Sequence, residues 1–201
     1  KKHFPCRKWL PTTSNIPSES SYKPGGNLLG LHKQVTARTH ETHRDALGRW
    51  SWAQVEGRKT PITIIQLYVP GSTTSSGLNS SYAQQYEQLQ DTGTELPDVM
   101  KKYYSDLHQL LEKHSANHVV LMGDFNEAPD GVNILDLQSQ HNLRDAFSYK
   151  HPGIEFNTQQ RGSKQIDYFL VSAPLLPEIQ RIGYKPVGGS IPSDHRGMYM
   201  D

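Results

Sequence analysis

Cysteine is nearly absent: Cys6 is the single thiol in 201 residues. One cysteine excludes an intramolecular disulfide framework and any zinc site built from several thiolates. Long hydrophobic runs are missing too. Pieces such as Val119-Val120-Leu121-Met122 stop far short of the roughly 18 apolar residues a membrane-crossing helix needs. Nor is there an excess of one charge. Lys and Arg together number 21 and Asp and Glu 20, a formal charge of +1, which excludes a basic tail or an acidic solvating segment. Charge alone therefore neither indicates nor excludes a nucleic-acid partner. The chain opens on Lys1, with no apolar signal core after it, and reads as a fragment of something longer. No internal repeat is present.

What remains is the composition of a folding chain: 34% hydrophobic and 20% charged residues, at a length that suits one domain. Residues 1–26 scatter Pro5, Pro11, Pro17 and Pro24 among Ser and Thr and are expected to be loop. We therefore set residues 1–21 apart as a loop-like stretch and take 22–201 as the folded unit. Short apolar segments at Asn27–His32, Trp50–Val55 and 62–69 have strand length and are bounded by turn residues. Trp50 and Trp52 share one strand face, and Ile62-Thr63-Ile64-Ile65 suits a central strand. Helical spacing begins at 82–89 and is clearest at 96–114, where Val99, Tyr103, Leu107, Leu110 and Leu111 recur and Pro97 falls near the first turn. A buried strand at 119–122, a short helix at 133–140, a strand at 165–171 and another at 197–201 complete the pattern. Strands alternating with helices define an α/β protein.

Three short segments carry chemistry. Gly123-Asp124-Phe125-Asn126 puts a carboxylate and a carboxamide at the carboxyl end of a buried strand, where open sheets commonly place ligands. The carboxylate can accept a proton from water or bind a hard metal ion, and the amide can donate to a phosphate oxygen. The same four residues equally suit a plain turn. Asp167, inside the apolar Ile166-Asp167-Tyr168-Phe169-Leu170-Val171, requires a hydrogen-bond donor such as histidine, unless it faces solvent on an edge strand. Ser193-Asp194-His195 places an acid and an imidazole before the last strand, so that His195 can hold a proton while Asp194 serves a metal ion.

In this order the three segments resemble the C-terminal motifs of the endonuclease/exonuclease/phosphatase superfamily, whose fold is DNase I-like. Tyr68-Val69-Pro70 is similar to that family's tyrosine motif, and DALGRWSW at 45–52 with YKPGG at 22–26 resembles the endonuclease domains of retroelements. The resemblance implies a four-layer α/β sandwich, two packed sheets flanked by helices, with the first strands missing. It also implies a metal-dependent phosphodiesterase acting on DNA. Asp124 would orient or deprotonate the attacking water and Asn126 would hold the scissile phosphate. His195 would stabilise transition-state charge, Asp167 would orient His195, Tyr68 would donate to the phosphate and Asp194 would help place Mg²⁺ or Mn²⁺. The expected state is a monomer on DNA, intracellular, and nuclear if of retroelement kind. Phosphomonoesterase or phospholipid phosphodiesterase activity, and a non-catalytic remnant, are the alternatives.

The family's early active-site Asn and its metal-binding Glu have no counterpart here. Asn15 and Glu19 match by type alone and receive no role, so the isolated chain is expected to bind Mg²⁺ weakly. His40-Glu41-Thr42-His43 reads as a solvated turn rather than a metal site. Lys101 and Lys102 read as an exposed helix face, Arg161 and Lys164 as loop charge or phosphate contacts, and the two tryptophans as packing.

Overall fold

The structure, a computed structural model, describes residues 6–13, 25–71, 80–95, 97–188 and 193–201, the side chains of Cys6 and Arg7 excepted. Its centre is a parallel strand pair. Strand β5 (Ile62–Tyr68) and strand β6 (His118–Asp124) bury alternate residues, Thr63, Ile65 and Leu67 on one, Val119, Leu121 and Gly123 on the other. They run in register from Ile62 beside His118 to Tyr68 beside Asp124. Parallel strands need a long crossover, and helices α2 (Ser81–Asp91) and α3 (Val99–Lys113) lie within it. Helix α3 starts where the Asp98 side chain accepts from the Lys101 N–H at 2.9 Å. Pro97 thus stands just before the cap, not inside the first turn. Its buried stripe, Val99, Tyr103, Tyr104, Leu107 and Leu111, covers the sheet, while Lys101 and Lys102 are exposed.

Antiparallel strands extend the pair on both sides. Strands β3 (Thr39–Arg44) and β4 (Trp50–Val55) precede β5, and strands β8 (Asp167–Ser172) and β7 (Leu143–Asp145) follow β6, giving the six-stranded order β3-β4-β5-β6-β8-β7. On the helix-covered face, Trp50, Trp52, Ile65, Leu67, Leu121, Tyr168 and Leu170 pack with α3 and with Ile134 and Leu137 of helix α4 (Val132–Gln140). The opposite face carries a second layer of strands. An antiparallel ribbon of β1 (Cys6–Thr12) and β2 (Asn27–His32) lays Leu10, Leu29 and Leu31 on Ala53. A second ribbon, β9 (Ile182–Tyr184) with β10 (Met198–Met200), closes over Phe169 and Val171 together with helix α5 (Ala146–Lys150) and the 3₁₀ helix Ala173–Glu178. Packed sheets with helices are the α/β sandwich anticipated above.

Two expectations are corrected. Residues 6–12 of the expected N-terminal loop form a strand, because Leu10 gains a buried place and β1 has one neighbour, so Pro11 needs to donate nothing on its free side. Residues 14–24, which include Asn15 and Glu19, lie outside the described residues. The expected turn at 40–43 is edge strand β3, whose polar residues suit a sheet margin that must not recruit another chain.

Gly123 shows how tightly β5 and β6 are joined. Its φ is +144°, and a Cβ there would collide with the Leu67 carbonyl. Gly123→Ala is therefore expected to destabilise the fold by on the order of 3 kcal/mol, through strain and backbone displacement together. Urea unfolding measures it, and a loss below about 1 kcal/mol would show that the strand pair gives way freely.

Candidate active site

The carboxyl ends of β5 and β6 and the start of β8 meet at one margin of the sheet. Backbone bonds clamp them: Val69 N–H donates to the Asp124 carbonyl at 2.9 Å and Phe125 N–H to the Ile166 carbonyl at 2.8 Å. Asp124 ends β6. Its Oδ1 accepts from the Asn126 N–H at 2.9 Å, an Asx turn that holds Asn126 at a φ of +50°, a conformation asparagine tolerates. The Asn126 side-chain amide donates to the Val69 carbonyl at 2.7 Å and approaches Asp124 Oδ2 at 3.3 Å. Turn and polar cluster are thus the same object.

Antiparallel pairing sets Asp167 directly opposite Asp124. Strand β7 pairs only with residues 170–172 of β8, but Asp167 is 7% exposed, so the solvent-facing position does not occur. Its partner is His195, whose Nδ1 lies 3.0 and 3.2 Å from the two carboxylate oxygens. Asp124, Asp167 and His195 bring one oxygen or nitrogen each within 4.8 Å of one another. Tyr68 flanks Asp124 across the parallel pair. Asp194 is not one of these three but lies close enough for its charge to act on Asp124 and Asp167; it is exposed, and its carboxylate accepts from Gln159 Nε2 at 3.2 Å.

Sequence reasoning did not single out the residues that build this arrangement. Thr158, fully buried, accepts at Oγ1 from the N–H groups of Ile166 (2.9 Å) and Asp167 (3.2 Å), and its carbonyl accepts from the Arg196 N–H at 2.7 Å. The Tyr184 hydroxyl donates to the Asp167 carbonyl at 2.8 Å, and Asn157 closes its loop by donating to the carbonyls of Gln159 (2.8 Å) and Gly162 (3.1 Å). Asn157-Thr158 was the available signal, a polar turn-forming pair ahead of an apolar strand.

The electrostatics follow from burial. Burial, then the nearby charge of Asp167, raises the Asp124 carboxyl to about 6. Burial also raises Asp167, with the bonds from Thr158 and His195 offsetting part of the rise. For His195 burial acts downward, but the hydrogen bond and charge of Asp167, with help from Asp124 and Asp194, leave its pKa raised. Asp194 is lowered, first by the hydrogen bond from Gln159.

A family model described as the Endonuclease/Exonuclease/phosphatase family matches residues 91–195, just over half of the chain. The chain belongs to this family. Among solved structures, this endonuclease/exonuclease/phosphatase chain is similar to the 3′ phosphatase NExo from Neisseria bound to product DNA hairpin, with 19% identity, TM-score 0.58, and 81% of this chain and 70% of that one covered. It is similar to an AP endonuclease from Archaeoglobus fulgidus (17% identity, TM-score 0.51, 77% and 65% covered). It also resembles the endonuclease domain of TRAS1, a telomere-specific non-LTR retrotransposon (11% identity, TM-score 0.54, 90% and 78% covered). These likenesses establish the DNase I-like fold. No curated protein matches the chain.

All three clustered groups bind a proton more tightly folded than unfolded, so each favours the folded state at low pH and loses that contribution as pH rises. For Asp124 the loss runs from its ordinary value of 3.8 up to about 6. For His195 the contribution is complete below 6.5 and disappears as pH passes its raised folded value. Burial lowers His114 and His141, which act in the opposite direction up to pH 6.5, so without divalent cations unfolding free energy is expected to fall as pH rises above 6.5, and His195→Asn should flatten that fall. Urea titrations across pH test this; a curve that rises above 6.5 in the parent chain contradicts the assignment.

Proposed function

We propose that this chain carries the catalytic half-site of a divalent-metal-dependent phosphodiesterase acting on DNA, an endonuclease of the retroelement kind. The observation that supports it best is the convergence of Asp124 with the Asp167–His195 pair. The family's three named activities all break phosphoester bonds, and Asp124, Asn126, Asp167 and His195 offer what such a reaction requires.

A carboxyl with a pKa of about 6 is ionised at neutral pH yet more basic than an ordinary carboxylate, so Asp124 is fit to orient and deprotonate water. Because Asp167 takes the Nδ1–H of His195, the other ring nitrogen, Nε2, is left for substrate, and the raised pKa favours the charged ring that would donate to a nonbridging phosphate oxygen. Asn126 and Tyr68 flank the same point and would position the phosphate. Asp194 and Asp124 would hold the metal. Carboxylate oxygens suit Mg²⁺ or Mn²⁺, and a cation would relieve the part of the Asp124 rise that the charge of Asp167 adds to burial. Such an ion supplies positive charge at the reacting phosphate. Two of the similar structures, a phosphatase with DNA product and a retrotransposon endonuclease, support DNA as substrate, and a nuclear location goes with the second. The first also favours one alternative, removal of a terminal phosphate from DNA.

Supercoiled plasmid with Mg²⁺ tests the proposal, using the chain alone and extended at its amino terminus. Nicking should stop with EDTA and fall at least about 100-fold for Asp124→Asn and for His195→Ala. Release of inorganic phosphate from a 3′-phosphorylated hairpin without nicking would move the reading to a phosphatase. Intact plasmid and hairpin with the extended chain, or full activity in both variants, would leave a non-catalytic remnant.

A further inference from the structure

Away from the catalytic margin, helices α3 and α4 bring two imidazoles into contact. His108, on the same helix face as Leu111 and Glu112, and His141, the residue that ends α4, place Nδ1 and Nε2 2.7 Å apart, both side chains partly buried. The second ring nitrogen of His108 lies 3.3 Å from Asp136 Oδ2. A carboxylate accepts only from N–H, so Asp136 fixes the His108 proton on Nε2 and leaves Nδ1 with its lone pair. That lone pair accepts from His141 Nε2–H, so a metal ion bound by both nitrogens would take the place of this proton, with His141 shifting its hydrogen to Nδ1. A carboxylate behind one ring and an unprotonated nitrogen in front of it is the arrangement seen around metal-bound histidine.

We propose that His108 Nδ1 and His141 Nε2 form a second metal site, for a borderline divalent ion such as Zn²⁺, with Asp136 orienting His108 and water filling the remaining positions. His141 lines a cavity of about 570 Å³ that also borders Glu112, His118 and Ser172. A Zn–N bond of about 2.05 Å in tetrahedral geometry separates two ligand nitrogens by about 3.3 Å, so the rings need to part by roughly half an ångström. Imidazole nitrogens exclude Mg²⁺, which takes oxygen ligands, so this site and the catalytic one select different ions. An ion here would tie α4 to α3 over the shared core.

The test uses the full chain carrying Asp124→Asn and His195→Ala, which disables the catalytic cluster as a competing site. Calorimetric titration with ZnCl₂ should show one ion bound, with a rise in Tm that millimolar MgCl₂ does not reproduce. Adding His141→Asn should abolish both effects, and adding Asp136→Asn should weaken binding at least about tenfold. As a check that needs no substitution at the site, Zn²⁺ should shift the ring resonances of His108 and His141 in the NMR spectrum of the unsubstituted chain. Absence of Zn²⁺ binding in the background chain, unchanged binding with His141→Asn, or ring shifts confined to other histidines would overturn the proposal.

Discussion

A carboxylate removed from water must be answered by donors, and at Asp167 that demand organises everything around it. Burying an ion without partners costs several kcal/mol even after relaxation. The carboxylate is answered by His195 before β10, while the backbone of the same residue is held by Thr158 ahead of β8, which accepts from its N–H, and by Tyr184 in β9, which donates to its carbonyl. The loops that carry Thr158 and His195 are then tied together, Arg196 N–H to the Thr158 carbonyl at 2.7 Å and Gln160 N–H to the Asp194 carbonyl at 2.7 Å. Holding one buried residue, backbone and carboxylate together, therefore joins the loops that build the candidate site.

The opposite flank of the site is held by a cation. Arg49, 5% exposed, donates to Asp45 at 2.9 Å and to Asp106 of α3 at 2.8 Å, and stacks 4.1 Å from the Trp50 ring centre. Its carbonyl accepts from the Tyr68 N–H at 2.9 Å. The stretch DALGRW thus works as a brace. It joins the turn before β4 to the covering helix and fixes the last residue of β5 beside Asp124.

Sequence reading succeeded where a physical period had room to declare itself. Ile62–Tyr68 and His118–Asp124 alternate over seven residues, and α3 repeats its apolar stripe over four turns. It failed at β7 and β9, each of three residues, and at the five-residue helices, which are shorter than the pattern that would reveal them. Strand β1 was hidden by its prolines, because composition cannot show that Pro11 sits on a ribbon with one partner. The site divides in the same way. Asp124, Asp167 and His195 were visible as polar residues at strand ends, whereas Thr158 and Tyr184 act through backbone contacts that only tertiary structure creates. The His108–His141 contact joins residues 33 apart on two helices and had no sequence signature at all.

The charge arithmetic limits how a phosphate could come to this margin. Asp124, Asp167 and Asp194 influence one another there, and His195 supplies the one positive partner inside the cluster. Arg161 is near enough to help lower the Asp194 pKa, but it stands on the loop side. With a formal charge of +1 the chain as a whole generates little long-range attraction for a polyanion. A phosphodiester would therefore meet net repulsion from three carboxylates unless positive charge is added locally. Protonation could add it, but only by consuming the base that Asp124 is suited to be. A divalent cation would add it while leaving that carboxylate ionised, which is the part proposed for Mg²⁺ or Mn²⁺ at a site where burial, and then the charge of Asp167, raises Asp124.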